Sequence, residues 1–329
     1  MSNPDAPKRS LLVDCDTGVD DAIALLYLLA DPAIEICGIT TVFGNITAAQ
    51  SALNTLWVLD IAGHTGKVPV AKGCERPLLG DLPTSAAHVH GDNGLGGTPV
   101  GEPRGSLSEL SGPELIVGTA RQRPGEVQLL ATAPLTNLAV ALRLEPDLPR
   151  LVPSVTIMGG AANAPGNFTP AAESNIWRDP EAAHAVLSAA WETTLVPLDA
   201  TMQELLTEDH LLQLQASPSP VARFAAGALA HYFDYYSTVF GRRCCACHDA
   251  LAAAIAAGDV VAEEAMTVVV TVDTGPGPAR GATICDLRGR YRGERRQPGA
   301  TCTVVLRTAG NFGDAIVARL TGASAINPV

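Results

Sequence analysis

Four aspartates fall within eight residues near the start of this chain: Asp14, Asp16, Asp20 and Asp21. They sit in the run Leu11-Leu-Val-Asp-Cys-Asp-Thr-Gly-Val-Asp-Asp-Ala-Ile-Ala-Leu25. Two like charges ~4 Å apart repel by roughly 4 kcal/mol at an effective dielectric of ~20. A strand end that gathers four of them needs a bound cation, protonation or the positive end of a helix. Carboxylate and carbonyl oxygens suit hard cations such as Ca²⁺ and Mg²⁺. Capping of the following helix accounts for Asp20 and Asp21. It leaves Asp14 and Asp16 unexplained on an otherwise apolar strand end, so the cluster points to metal chemistry.

Rival motifs fit less well. An EF-hand loop needs Gly at its sixth position and a carboxylate at its twelfth; counted from Asp14, those are Val19 and Leu25. A haloacid-dehalogenase-type phosphohydrolase carries Asp-x-Asp-x-Thr, with the first aspartate, here Asp14, as nucleophile. In this chain Thr17 comes one residue early and Gly18 holds the Thr position. Cys244-Cys-Ala-Cys247-His248 contains the Cys-x-x-Cys-His spacing of haem attachment. It stands alone, and a closed zinc site wants four well-spaced ligands. His248 is better read beside Asp249, as an acid or a base-contacting group. No P-loop or Gly-x-Gly-x-x-Gly follows a strand, so nucleotide cofactors find no support.

The elements that must position these groups alternate. Strands are expected at Leu11–Val13, Ile34–Thr40, Val68–Ala71, Val127–Ala131, Val155–Met158 and Thr193–Val196. Helices are expected at Asp20–Ala30, Thr47–Ala62, Pro113–Arg121, Leu135–Leu144 and Glu181–Ala190. Uninterrupted apolar strands in this rhythm predict an α/β fold, a mostly parallel Rossmann-like sheet with helices on both faces. Thr201 to Ala257 reads as mostly helical. Met266–Val272, Gly281–Asp286 and Cys302–Arg307 read as a small antiparallel β appendage, followed by a helix at Phe312–Leu320. No composition break suggests a linker, so residues 1–329 are expected to be one domain, with 1–10 a flexible start. Four loops follow strands: Asp14–Gly18, Phe43–Asn45, Thr132–Pro134 and Gly159–Trp177. In a parallel sheet they share the carboxyl edge, where open α/β sheets bind ligands.

Val13-Asp-Cys-Asp-Thr-Gly-Val-Asp-Asp-Ala22 resembles the N-terminal signature of the nucleoside hydrolase family of the inosine-uridine-preferring type. Further elements of that family follow in order: Gly44-Asn45, His90-Gly-Asp-Asn-Gly-Leu-Gly96, Ala131-Thr-Ala-Pro-Leu-Thr-Asn-Leu-Ala139, Met158-Gly-Gly160, Gly166-Asn167, Glu173-Ser-Asn175 and Cys247-His-Asp-Ala-Leu-Ala252. The resemblance spans roughly residues 10 to 320. It implies Ca²⁺-dependent hydrolysis of the N-glycosidic bond of ribonucleosides, giving ribose and a free base. By position it implies Ca²⁺ ligation by Asp16, Asp21, the Thr132 carbonyl and Asp249, with Asp16 also the general base. It places Asp20, Asn45, His90, Met158, Asn167, Glu173, Asn175 and Asp249 around the substrate. Asp14 supports the cluster, and His248 is the candidate acid for the departing base. The helical region 225–247, with Tyr232, Phe233, Tyr235 and Tyr236, is where the family sets base preference; helix packing is the plain alternative for those aromatics. The resemblance also implies a homodimer or homotetramer.

The remaining features bound the partners. The chain has 329 residues and a formal net charge of −12, which excludes the basic footprint that nucleic acid requires. It contains no run of ~18 apolar residues, so no membrane partner is expected. Met1 to Ser10 is polar and lacks the apolar stretch of a secretory signal. Eight cysteines are then expected as reduced thiols in the cytoplasm. Two other readings of the cluster are a Mg²⁺ phosphohydrolase and a non-catalytic ribose- or nucleoside-binding protein. The first leaves Asn45, Asn167 and Glu173 without a role, and the second does not need an acidic cluster plus a cation.

Overall fold

The structure, a computed structural model, describes residues 8–322. Among the described residues twelve strands run in chain order: β1 (Arg9–Cys15), β2 (Ile34–Thr41), β3 (Val70–Lys72), β4 (Val127–Ala131), β5 (Ser154–Met158), β6 (Glu192–Val196), β7 (Leu205–Thr207), β8 (Cys244–Ala246), β9 (Glu264–Val268), β10 (Val270–Val272), β11 (Thr283–Cys285) and β12 (Cys302–Arg307). Eight form one sheet in the order β3-β2-β1-β4-β5-β6-β12-β9, parallel except for the β12–β9 pair at one edge. The sheet has a helix-covered core on each face, and alternate strand residues supply them. Leu11, Val13 and Cys15 enter one core while Leu12 enters the other; Leu130 and Val196 face the first, Leu129, Ala131 and Leu195 the second.

The expected strands and helices of the first 196 residues are present, with ends shifted by a few residues. β1 begins at Arg9, so Arg9 and Ser10 belong to the sheet rather than to a flexible start; residues 1–7 lie outside the described residues. Two later expectations change. The region 201–257 holds, besides helices, the antiparallel pair β7–β8. Strands of three residues are too short to show a period of two. The antiparallel appendage is smaller than expected: only β10 and β11 pair on their own, whereas β12 joins the main sheet parallel to β6.

Three helices place the site, and each has a local reason to start or stop. Val19–Leu29 leaves the β1 loop, and Asp21 in its first turn accepts from the Gly18 backbone N–H at 2.9 Å. Pro220–Phe240 starts with Pro at its first position behind Ser219, whose hydroxyl accepts from Ala222 N–H, and stops at Gly241 with φ +65°. His248–Ala257 begins directly after β8 and stops at Gly258 with φ +80°.

Candidate active site

Parallel register brings the first loops together. Asp14 stands opposite Thr40 on β2 and Ala131 on β4, so the loops after these three strands open at the same level. Asp14 itself is fully buried. One carboxylate oxygen accepts from Thr40 Oγ1 at 2.6 Å and Asn137 Nδ2 at 2.7 Å, while the other has no partner. Burial pushes this carboxyl up to about 7. Asp14, like Asp16 and Asp21, does not line the cavity beyond the loops, and its partners Thr40 and Asn137 hold it behind the other aspartates.

Asp16 turns toward the β2 loop. Asn45 donates to it twice, from its backbone N–H at 2.5 Å and from Nδ2 at 3.1 Å. A Cβ on Gly44 would overlap the Asp16 carboxylate, so the close approach of this loop requires glycine. Asp21 accepts from Thr132 Oγ1 at 2.8 Å and from Gly18 N–H, and the Asn45 amide spans Asp16 and Asp21. Burial is the main force raising the carboxyls of Asp16, Asp20, Asp21 and Asp249, and each also feels the neighbouring charges; Asp21 reaches about 6.

Asp20 and Asp249 close the group. Asp20 accepts from Tyr232 Oη at 2.9 Å, and its other oxygen is buried without a hydrogen-bond partner. Ligand atoms of Asp20, Asp21 and Asp249 lie within 4.8 Å of one another. Asp20 therefore stands among the carboxylates expected of a metal site, a place the sequence reading assigned to Asp16 but not to Asp20. Three mutually close carboxylates, two buried and the third, Asp20, partly so with one orphaned oxygen, fit a hard cation in charge, donor type and spacing.

The cavity above them has a volume of about 420 Å³. Of the residues expected around a substrate, Asp20, Asn45, His90, Met158, Asn167, Glu173, Asn175 and Asp249 all line it, with Thr132 and His248. Several are already engaged. Glu173 caps the helix Ser174–Arg178, and its carboxylate accepts from the N–H groups of Gly160, Asn175 and Ile176. Asn175 Nδ2 donates to the Thr132 carbonyl at 3.0 Å, leaving that oxygen one lone pair for another partner. Asn167 accepts from Ser174 N–H at 2.9 Å. His90 Nδ1 accepts from Val19 N–H at 3.2 Å and stands 3.6 Å from Asp20. Burial lowers the His90 imidazole to about 3, so it is neutral.

His248 starts its helix inside the cavity wall. Its Nε2 is 2.5 Å from Tyr236 Oη, and its Nδ1 is 2.8 Å from Thr201 Oγ1. Burial lowers it to about 4, so it too is neutral near pH 7. The aromatic run divides by helical spacing: Tyr232, Tyr235 and Tyr236 line the cavity with Val239, whereas Phe233 is buried in the core. Sequence reasoning missed Thr201, Asn137 and Arg178. Thr201 and Asn137 act through partners far away in sequence, with no local signal. Arg178 ends a helical turn in a polar loop, where an arginine reads as solvated; in the structure it is 3% exposed. Cys244, Cys245 and Cys247 are buried free thiols beneath the site, outside the carboxylate group.

A family model described as inosine-uridine preferring nucleoside hydrolase matches residues 11–310. The inosine-uridine preferring nucleoside hydrolase of Crithidia fasciculata is 38% identical over 287 residues, 86% of this chain and 89% of that protein. A probable uridine nucleosidase of Arabidopsis thaliana is 37% identical over 234 residues, 71% of this chain and 72% of the relative. Among solved structures, a plant nucleoside hydrolase superposes with a TM-score of 0.88 at 28% identity, covering 96% of this chain and 99% of its own. A purine-preferring ribonucleoside hydrolase from Gardnerella vaginalis reaches 0.85 at 29% identity, covering 95% and 98%.

Proposed function

This chain belongs to the inosine-uridine preferring nucleoside hydrolase family, and from that premise we propose a residue-level account of how it hydrolyses the N-glycosidic bond of ribonucleosides. The metal we assign is Ca²⁺. Asp16, Asp21, Asp249 and the Thr132 carbonyl would hold it, as the family resemblance implies, and Asp20 stands close enough to share the charge. The observation that carries this reading is the convergence of Asp20, Asp21 and Asp249, of which Asp20 and Asp249 open on a cavity that His248 and Tyr236 also line. A hard dication held there would supply a positioned water of lowered pKa. The chain's residues do the rest. Asp16, oriented by two Asn45 donors, takes the water's proton. The buried carboxylates and amides hold the ribose hydroxyls and favour the positive charge that develops on the ring.

The base departs with a proton from the Tyr236–His248 pair. His248 is neutral, so it carries only one N–H. If that proton is on Nε2, His248 donates to Tyr236 Oη, Thr201 donates to Nδ1, and the tyrosine O–H is free to reach the base. His248 thus acts through Tyr236. The phosphohydrolase and simple sugar-binding alternatives have no support from the relatives. The resemblance also carries a homodimeric or homotetrameric assembly, which light scattering measures. The decisive assay follows reducing sugar released from inosine and uridine, before and after chelation, with elemental analysis of the protein. Undiminished turnover by metal-free protein would sink the Ca²⁺ assignment.

A further inference from the structure

The loop that carries Asn167 leaves β5 after Met158 and runs to Glu173. Side chains remote in sequence hold its backbone. From Gly160 to Ala164, five consecutive N–H groups each donate to a side-chain oxygen. Gly160 donates to Glu173 at 3.0 Å, and Ala161 donates to Thr283 Oγ1 at 2.8 Å. Ala162, Asn163 and Ala164 all donate to the Asp199 carboxylate, at 2.7, 2.7 and 3.2 Å. The Thr283 hydroxyl also donates to the Ala161 carbonyl at 2.7 Å, so one hydroxyl serves both backbone groups of Ala161. Neither Thr283 nor Asp199 lines the cavity.

Thr283 stands on β11 opposite Val272 of β10, and this hairpin meets the loop and the helices after it at three points. Thr283 holds Ala161. Gly281, at φ +82°, abuts Trp177: a Cβ there would stand 2.8 Å from the Trp177 Cα. Arg280 Nη2 lies 2.8 Å from each Glu181 carboxylate oxygen. On the loop side, Gly160 has φ +80°, and a Cβ on it would stand 2.8 Å from Thr283 Cγ2, so glycine is needed where loop and hairpin touch. Thr283 is buried, so loss of its hydroxyl would leave the Ala161 N–H and C=O unpaired. We propose that Thr283 is a positioning residue of the hydrolase, which fixes the loop after β5 for ribose binding. This deepens the hydrolase reading and rests on its placing of the ribose against Asn167 and Glu173. Ala161 is fixed by the hydroxyl, its neighbour Gly160 holds the Glu173 carboxylate, and the same loop continues to Asn167. Asp16, Asn45, Tyr236 and His248 sit on other elements, so loosening this loop should weaken the hold on ribose more than the chemical step.

The test measures kcat and KM separately for inosine and uridine in Ca²⁺-loaded wild type, Thr283→Val and Thr283→Ser. Titration calorimetry with ribose runs beside it as a measure of binding alone. Valine keeps the shape of threonine and its preference for a strand while removing the hydroxyl; serine keeps the hydroxyl. Thr283→Val should raise KM and weaken ribose by about tenfold, with kcat falling by less than about threefold. Thr283→Ser should stay within about twofold of wild type in both. Amide exchange at Ala161–Ala164 should quicken in Thr283→Val and not in Thr283→Ser. Folded Thr283→Val with wild-type KM and ribose affinity overturns the proposal. So does a loss that Thr283→Ser shares in full, since the methyl group would then be the part that matters. If Thr283→Val does not fold, Thr283→Ala takes its place in the same comparison with serine. Wild type that binds ribose but releases no sugar from either nucleoside fails the hydrolase reading instead, and the ribose titration of the variants then decides the role of Thr283.

Discussion

At the scale of single residues the four aspartates separate into different duties because their surroundings differ. Asp14 is sealed behind Thr40 and Asn137, Asp16 is gripped by Asn45, and Asp21 caps a helix while bonding Thr132. Asp20 alone meets an aromatic hydroxyl, that of Tyr232. Asp16→Ala should cut kcat by about 10²- to 10⁴-fold while circular dichroism shows the fold retained, the range for loss of a general base. Asp249→Ala should also abolish metal binding by elemental analysis. Replacing His248 by Ala should slow inosine and uridine far more than an activated nitrophenyl riboside, whose leaving group needs no proton. Equal losses on both kinds of substrate, measured as kcat/KM ratios, would take the acid role away from His248 and Tyr236.

At the scale of elements the strand–loop junctions decide the site's precision. The β2 loop can bring Asn45 to Asp16 only because Gly44 has no side chain in the way. Gly44→Ala should therefore displace the Asn45 backbone and reduce kcat by at least about tenfold, since a shift of ~1 Å at a reacting group is enough. A crystal structure of the variant would show whether the loop or the Asp16 rotamer gives way. The helix Pro220–Phe240 sends Tyr232, Tyr235 and Tyr236 to the cavity on one face and Phe233 to the core on another. Tyr236→Phe removes the hydroxyl beside His248 while keeping the ring. It should lower turnover of natural nucleosides about as much as loss of His248, because the two act on the same proton; a full-speed Tyr236→Phe enzyme would leave His248 to act alone.

For the whole molecule, burying so many carboxylates at one sheet edge couples stability to pH and to cations. Asp14 and Asp21 are raised to about 7 and about 6, so the folded chain binds protons that the unfolded chain releases. Raised carboxyls disfavour folding where they are ionised, above those values, and that penalty fades as pH falls through them. Metal-free protein should thus gain thermal stability as pH is lowered from about 8 to 6, by about 1–2 kcal/mol. Scanning calorimetry in chelator measures this. Added Ca²⁺ should raise the melting temperature most at the alkaline end, where the carboxylates most need a counter-charge. A melting temperature that falls steadily from pH 8 to 6 without metal would contradict the burial of these groups as charges.

The order of strands and helices up to Val196 was legible in the sequence because long apolar runs report burial on both faces of a sheet, and β4 has the expected limits. The acidic signature was legible because its spacing is local: one strand end, one turn and one helix start carry all four aspartates. Legibility stopped where partners are remote. The short pair β7–β8 has no periodicity to read, yet it delivers His248 to the cavity. The tie between Tyr236 and His248, the grip of Asn137 on Asp14 across 123 positions and the burial of Arg178 arise only when loops from separate strands meet. The sequence by itself determined which residue types gather at the carboxyl edge. Tertiary structure decided which carboxylate oxygens are left without a partner and which are held by donors, because both depend on hydrogen-bond partners that only folding brings within 3 Å or so.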